Sequence, residues 1–217
     1  MADFAARRTT MVDTQVRPSD VTKFPIIEAM LAVPREAFVP DMHREAAYVG
    51  DCISLGAGRV VLEPRTFAKM LDGLNIQPNE LVLDVGCGLG YSSAVISRMA
   101  EAVVALEQDP DMALRAERLL GDTGAHNVAV IQGPLDAGSA KHGPYDAIII
   151  QGGIEVLPGA LEAQLKDGGR VAAVFVENAL GSCKIGYKSN GSITWRQTFD
   201  AGLPVLAGFE ATRAFAL

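Results

Sequence analysis

The sequence is poor in the residues that mark disulfide-bonded and metal-binding proteins. It contains three cysteines and three histidines among 217 residues. Cys52, Cys87 and Cys183 lie far apart, and neither they nor the histidines show the short spacings that are typical of metal ligands. An odd number of separated cysteines also argues against a disulfide framework. We therefore expect reduced thiols, a cytoplasmic protein and no metal.

The sequence also lacks long apolar runs and an excess of positive charge. It has no apolar stretch of the roughly 18 residues that a membrane span needs, and its first residues show no continuous apolar signal segment. The 19 basic and 26 acidic side chains give a formal net charge of −7, which disfavours general attraction to phosphate backbones. Neither membrane insertion nor nucleic-acid binding is expected. The Gly-Xaa-Ser-Xaa-Gly motif of many hydrolases is absent as well.

Hydrophobic residues are abundant, at 49% of the chain, and they form a regular pattern from residue 81 onward. Short apolar segments there alternate with amphipathic helical segments. The predicted strands cover residues 81–85, 102–106, 128–131, 145–150 and 170–176. Such alternation predicts a Rossmann-like, doubly wound α/β fold with a mostly parallel seven-stranded sheet.

The last part of the chain changes character. Residues 184–188 and 193–199 flank Asn190 and Gly191, and Asn-Gly is the strongest short-range signal for a β-hairpin. Residues 209–217 are predicted to form a final strand. We therefore expect the sheet to end with antiparallel strands.

The first third of the chain is predicted to be a helical extension. Apolar residues recur at helical spacing over residues 4–17, Asp20 is a candidate N-cap for a second helix, and residues 40–47 predict a third. Residues 48–64 are predicted to be a long irregular loop. Residues 1–64 should pack on a core formed by residues 65–217, so that both form one structural unit.

A glycine-rich turn after the first predicted core strand is the main functional signal. Gly86, Gly88 and Gly90 follow residues 81–85 directly. Glycines there let the backbone turn sharply and approach a ligand, while the amides at the next helix start favour polar or anionic groups. A dinucleotide-binding turn would need a further glycine where this chain has Tyr91. The match to a dehydrogenase is therefore only partial.

Two acidic residues narrow the choice of ligand. Asp84 precedes the first glycine, and Glu107 ends the next strand, where such folds place a ribose-binding carboxylate. One carboxylate can accept from both ribose hydroxyls, although Glu107 could also be a solvated strand end. Asp84 could engage an ammonium group or order the turn. This pattern fits S-adenosylmethionine, which has a ribose and an amino-acid end but no phosphate.

Several segments extend the signal beyond the turn. In chain order they are MVDTQVRP, EAMLAVPREAFVP, AYVGDCISLGAG, LEP, DVGCGLGYSS, ALEQD, YDAIII and LKDGGRVAAV. The last four resemble the motifs of class I S-adenosylmethionine-dependent methyltransferases. Together with the first four, they resemble the protein-L-isoaspartate O-methyltransferase family over about residues 10 to 176.

This resemblance implies methyl transfer from S-adenosylmethionine to an isoaspartyl carboxylate in damaged protein, with S-adenosylhomocysteine as product and no metal. The implied partner is a protein or peptide acceptor. The implied cofactor-binding residues are Asp84, Gly86, Gly88, Gly90, Glu107, Gln108, Gly133 and Leu135. After the third core strand the family commonly has Gly and Asp near the adenine, whereas this chain has Gly133 followed by Pro134 and Leu135.

The acceptor loop departs from the family pattern. The family typically has Thr-Ile-Ser-Xaa-Pro, and the matching residues here begin with Val60, Val61 and Leu62, so both hydroxyls are absent. A buried carboxylate without donors is unfavourable by several kcal/mol. Arg59 or Arg65 could supply charge-assisted hydrogen bonds instead.

Three interpretations therefore stay open. The chain is an isoaspartyl methyltransferase with altered donors, a methyltransferase of the same fold with a less charged acceptor, or a cofactor-binding protein that does not catalyse. No catalytic side chain is predicted, because methyl transfer to an ionised carboxylate requires alignment more than a general base.

Overall fold

The computed structural model describes residues 3–178 and 180–212 as a central sheet with helices on both faces. The strands are β1 (Ile53–Gly56), β2 (Arg59–Val61), β3 (Leu81–Val85), β4 (Ala102–Glu107), β5 (Val128–Gln132), β6 (Tyr145–Ile154), β7 (Leu165–Glu177), β8 (Leu180–Ser189) and β9 (Ser192–Asp200). The α-helices are α1 (Phe4–Met11), α2 (Phe24–Ala32), α3 (Pro64–Leu74), α4 (Tyr91–Ile96), α5 (Pro110–Asp122) and α6 (Gly159–Gln164).

The large sheet has seven strands in the order β5-β4-β3-β6-β7-β8-β9. Strands β3 to β7 pair in parallel, whereas β8 and β9 are antiparallel to their neighbours. The chain leaves the central strand β3 for β4 on one side and later returns to β6 on the other. This confirms the predicted doubly wound sheet. It also creates a switch point between β3 and its neighbours, where ligands bind in such sheets.

Alternation along β3 explains why both faces are covered. Val82 belongs to one hydrophobic cluster, and Leu83 and Val85 belong to another. The first cluster contains residues of α1 and α2 together with residues of α3, α4 and α5. Apolar side chains of the N-terminal helices thus share a core with one face of the sheet.

The C-terminal hairpin has the predicted turn. Asn190 and Gly191 have φ angles of 52° and 79°, and Ser189 pairs with Ser192 on either side of them. The predicted strand over residues 209–217 is not found at residues 209–212, and residues 213–217 lie outside the described residues.

After β9 the chain returns to the carboxyl end of β6. The Leu206 amide donates to the Gly153 carbonyl at 2.9 Å, and the Gly153 amide donates to the Pro204 carbonyl at 2.8 Å. The Glu155 amide donates to the carbonyl of the fully buried Phe209. Residues 203–209 therefore cover the edge of the sheet at the switch point.

Two predictions about the first N-terminal helices need correction. The helix predicted over residues 4–17 is α-helical only to Met11 and continues as a π-helix over Val12–Val16. Asp20 is not an N-cap: its φ of 65° ends a 3-10 turn, and α2 begins at Phe24 with Pro25 in its first turn.

The predicted irregular loop and third helix also differ from the structure. Residues 41–46 form a 3-10 helix. The stretch predicted as the loop contains the β1–β2 hairpin, in which Ile53 pairs with Val61. Gly56, Ala57 and Gly58 all have positive φ angles at its tip, a conformation that allows a tight reversal.

Among the described helices, none is both long and apolar enough to cross a membrane.

Arg170 on β7 joins the sheet to the end of α3. Its guanidinium donates to both carboxylate oxygens of Glu80 at 2.6 and 2.8 Å, and to the carbonyls of Leu74 and Asn75. Burial would raise the pKa of Glu80, but hydrogen bonds from Arg170 and from the Gln77 amide hold this pKa below its ordinary value. The ionised pair therefore stabilises the start of β3.

We expect Arg170→Met to lower the free energy of unfolding by about 2 to 3 kcal/mol at pH 7, because Glu80 loses a bidentate partner. The matched control is Arg17→Met, whose exposed pair with Asp13 should change stability by less than about 0.5 kcal/mol. Urea unfolding measures both values.

The effect of Arg170→Met should also depend on pH. An acid with a lowered pKa stabilises the fold above its unfolded pKa of about 4, and this contribution is lost as the pH falls through the folded pKa. The difference between wild type and Arg170→Met should therefore shrink at acid pH. An unchanged difference at pH 3 would contradict the role of the ion pair.

Candidate cofactor and acceptor sites

The glycine turn has the backbone geometry that its sequence predicts. Gly86, Gly88 and Gly90 have φ angles of 78°, 57° and 95°, in the left-handed region that disfavours other residues. The amides of Gly86 and Cys87 donate to the Leu106 carbonyl at 2.8 and 3.2 Å. The turn is thus bound to the end of β4, which brings it next to Glu107.

Glu107 is fully buried and accepts hydrogen bonds from four residues. The amides of Gly88, Gln108 and Asp109 donate to its carboxylate at 2.9, 2.7 and 3.0 Å. The fourth donor is Arg59 Nε, which lies 3.1 and 3.2 Å from the two carboxylate oxygens. Glu107 is therefore not a solvated strand end, and its partner Arg59 comes from the β1–β2 hairpin.

Asp84 lies at the base of the turn and is also fully buried. The hydroxyls of Ser92 and Ser93 donate to one carboxylate oxygen at 2.6 and 2.5 Å, and Gln151 Nε2 donates to the other at 2.7 Å. Burial raises the pKa of Asp84, and these three donors oppose that rise. The contacts favour the interpretation that Asp84 orders the turn and the start of α4.

The other predicted cofactor residues lie around the same edge. The Gly133 amide donates to the Glu107 carbonyl at 3.0 Å, and Gln108 has an exposed side chain. Leu135 is fully buried. A Cβ placed on Gly86 would lie 3.5 Å from Leu135 and 3.6 Å from Leu206, so the returning C-terminal segment reaches the glycine turn. No motif in the sequence indicates this position of Leu206.

The acceptor-loop candidates divide into two groups. Val60, Val61 and Leu62 line a cavity of about 10 Å³. Its other lining residues are Phe67, Cys87, Tyr91, Ser92 and Gln151. Neither Arg59 nor Arg65 lines it, so in this structure neither of the two arginines offers a hydrogen-bond donor to this cavity.

Neither Arg65 nor Glu63 lines the cavity, and both have partners elsewhere. Arg65 is exposed, lies 3.8 Å from Glu63 and stacks 5.6 Å from the ring centroid of Phe199. Glu63 accepts a 2.5 Å hydrogen bond from Thr66 in the first turn of α3. The repulsion that an inward-facing Glu63 would cause is thereby avoided.

Arg35 is a structural residue of the site that the sequence did not single out. It is fully buried, and it donates to the carbonyls of Ala47 and Leu62 at 2.6 and 2.8 Å. Its guanidinium carbon lies 4.8 Å from the ring centroid of Tyr91. Burial lowers the pKa of Arg35. Arg35 therefore fixes the chain at Leu62, directly after β2.

Within residues 3–178 and 180–212, no group of three or more His, Cys, Asp or Glu side chains is arranged to hold a metal ion.

The chemistry of the switch point suits S-adenosylmethionine. Glu107 presents a fixed carboxylate of the kind that accepts from ribose hydroxyls in such folds, and the glycine turn is of the kind that lets backbone approach a ligand. The free space beside Glu107 and Gly88 is less suitable for the cofactor. The Arg59 side chain is bound to Glu107, and a Cβ on Gly88 would lie 2.5 Å from Leu55. Ligand sites usually need about 300 Å³ or more. The residues at the switch point suit the cofactor chemically, and in this structure Arg59 and Leu55 occupy part of the space beside them.

The parallel sheet, the glycine turn at its switch point and the acid at the end of β4 define a class I methyltransferase, an enzyme that uses S-adenosylmethionine. The family model for protein-L-isoaspartate(D-aspartate) O-methyltransferase matches residues 7–199. The chain belongs to this family.

Relatives and solved structures agree with this assignment. A protein-L-isoaspartate O-methyltransferase of Methylorubrum extorquens is 37% identical over 169 residues, which cover 78% of this chain and 74% of the relative. A solved protein-L-isoaspartate O-methyltransferase has a TM-score of 0.80 at 22% identity, and the match covers 93% of this chain and 66% of that one. A Plasmodium falciparum homologue in complex with S-adenosyl-L-homocysteine has a TM-score of 0.79 at 19% identity, covering 95% and 99%. The two structures establish the likeness of fold.

We expect Ser93→Ala to lower the free energy of unfolding by about 1 to 3 kcal/mol, because the buried Asp84 carboxylate loses a donor. The control is Ser97→Ala, which removes a local hydrogen bond to the Ala94 carbonyl at the end of α4 and should change stability by less than about 1 kcal/mol. Equal effects of the two substitutions in urea unfolding would contradict this role of Asp84.

Proposed function

We propose that the chain transfers the methyl group of S-adenosylmethionine to the free carboxylate of an isoaspartyl residue in damaged protein. The observation that carries the proposal is the extent of the family match. The matched residues, 7–199, include the N-terminal segments around β2 as well as the glycine turn and Glu107. If the likeness were limited to the cofactor-binding part of the chain, it would not indicate which molecule accepts the methyl group.

Glu107 and the glycine turn are the proposed cofactor ligands. Glu107 accepts from the ribose hydroxyls, and its orientation is fixed by the amides of Gly88, Gln108 and Asp109. Asp84 acts indirectly, because its hydrogen bonds to Ser92, Ser93 and Gln151 fix the position of the turn.

The cofactor supplies an activated methyl group on a sulfonium. The chain has to place a carboxylate oxygen of the acceptor in line with the carbon–sulfur bond; the oxygen forms the new bond to the methyl carbon, and the electrons of the broken bond remain on sulfur. Val60, Val61 and Leu62 form the wall beside this position, and Arg35 holds that wall at Leu62.

A second candidate is a methyltransferase of the same fold with a less charged acceptor. It is favoured by the apolar side chains of Val60, Val61 and Leu62, which line the cavity where the family has two hydroxyls. Such an enzyme would methylate an isoaspartyl peptide poorly and a neutral acceptor well.

We also propose that the protein acts in the cytoplasm on other proteins. Cys52, Cys87 and Cys183 are free thiols, which is the expected state in a reducing compartment.

A labelled-methyl assay tests the proposed function. With S-adenosylmethionine present, we expect label to enter a peptide that contains isoaspartate and not the same peptide with normal aspartate. Calorimetry with S-adenosylhomocysteine should show binding in parallel. Cofactor binding without transfer to the isoaspartyl peptide would favour the second candidate.

Restoring the missing hydroxyls should raise activity. We expect Val60→Thr combined with Leu62→Ser to increase kcat/KM for the isoaspartyl peptide by at least about tenfold, since each hydrogen bond to a charged group contributes about 1.5 kcal/mol or more. The control pair is Val156→Thr with Leu114→Ser, at exposed positions, which should leave kcat/KM unchanged. An unchanged value in the first pair would contradict the assignment of this wall to the acceptor.

A further inference from the structure

Arg59 occupies the carboxylate that the cofactor needs. Its Nε donates to both oxygens of Glu107, and the two side chains are 6% and 0% exposed. The hydroxyls of a ribose would donate to the same carboxylate, to which three backbone amides already donate, so the ribose would have to replace Arg59. Arg59 and the ribose therefore compete for Glu107.

The tip of the β1–β2 hairpin, residues 55–59, is attached to the rest of the structure differently from the base of the hairpin. At the base, Ile53 and Val61 are buried in the core, and Arg35 donates to the Leu62 carbonyl. At the tip, residues 56–58 are exposed, and a Cβ on Gly56 or Gly58 would meet nothing within 4 Å. Residues 56–58 therefore have no packed neighbour among the described residues that would oppose a displacement, whereas the base is anchored in the core; lids often pivot on such small residues.

Both strands of the hairpin contact the edge of the sheet near its tip. Arg59 on β2 forms the ion pair with Glu107, and Leu55 on β1 approaches Gly88. If Arg59 leaves, Glu107 keeps its hydrogen bonds from the amides of Gly88, Gln108 and Asp109. Release of the tip thus does not leave a buried carboxylate without partners.

Arg59 is the first residue of β2, so its side chain, once displaced from Glu107, lies close to the proposed acceptor residues. It directly precedes Val60, Val61 and Leu62, which line the cavity without offering a side-chain donor. A guanidinium binds a carboxylate through two parallel hydrogen bonds, so one arginine can replace the two absent hydroxyls.

We propose that Arg59 binds two carboxylates in succession. It holds Glu107 while the cofactor is absent and yields this carboxylate to the ribose when the cofactor binds. It then binds the carboxylate of the acceptor. Arg59 is thus the residue that selects a charged acceptor, and it imposes the order in which cofactor binds before acceptor. This inference rests on the proposed function.

Calorimetry with S-adenosylhomocysteine tests the first step. We expect Arg59→Ala to bind it about tenfold more tightly than wild type, because the competitor for Glu107 is gone and more of the protein is open. Arg59→Gln, which keeps the polar side chain without its charge, should also bind more tightly. Arg118→Ala, at an exposed position on α5, should bind like wild type. Circular dichroism and urea unfolding establish that each variant is folded.

Acceptor binding tests the second step without turnover. With S-adenosylhomocysteine at saturation, wild type should bind an isoaspartyl peptide at least about tenfold more tightly than the same peptide with that carboxylate amidated. Arg59→Ala should lose this discrimination. Without S-adenosylhomocysteine, wild type should bind both peptides equally weakly.

Each outcome decides something different. Equal or weaker binding of S-adenosylhomocysteine by Arg59→Ala would overturn the competition for Glu107 while leaving the proposed function intact. Retained discrimination between the two peptides in Arg59→Ala would overturn the acceptor role. If neither wild type nor any variant binds S-adenosylhomocysteine, the proposed function fails together with this inference.

Discussion

The arrangement of the whole site depends on one buried carboxylate. Glu107 ends β4 and receives hydrogen bonds from the glycine turn after β3, from the backbone that leads into α5 and from the β1–β2 hairpin. A buried charge is tolerated only where donors surround it. Segments that lie far apart in sequence are therefore held at one point by the need to solvate a single negative charge.

Much of the fold could be predicted from sequence, because its signals are local. The alternation of apolar and amphipathic segments identified the strands from β3 to β7, and Asn190 with Gly191 identified the C-terminal hairpin. The errors fall where local signals conflict. Asp20 is a good N-cap residue, but Pro25 sets the start of α2. The β1–β2 hairpin is short and glycine-rich, so its composition resembles that of an irregular loop.

The site was predictable only in part. The glycine turn and Glu107 are recognised from their spacing, which the fold fixes. The partners of the buried charges are not, since Arg59 and Glu107 are brought together by tertiary structure alone, and so are Asp84 and Gln151. The sequence likewise predicted that Arg59 or Arg65 would serve the acceptor. It could not show that Arg59 pairs with Glu107, whereas Arg65 lies on the surface beside Phe199.

The segment over residues 203–209 has a consequence for how the protein is made. Leu206 packs against the glycine turn, and its backbone pairs with Gly153 at the end of β6. During synthesis on the ribosome, the turn at Gly86 emerges long before Leu206 does. The cofactor edge of the sheet consequently lacks its cover until this late segment has left the exit tunnel, so a nascent chain holding every strand of the sheet would still expose apolar surface there.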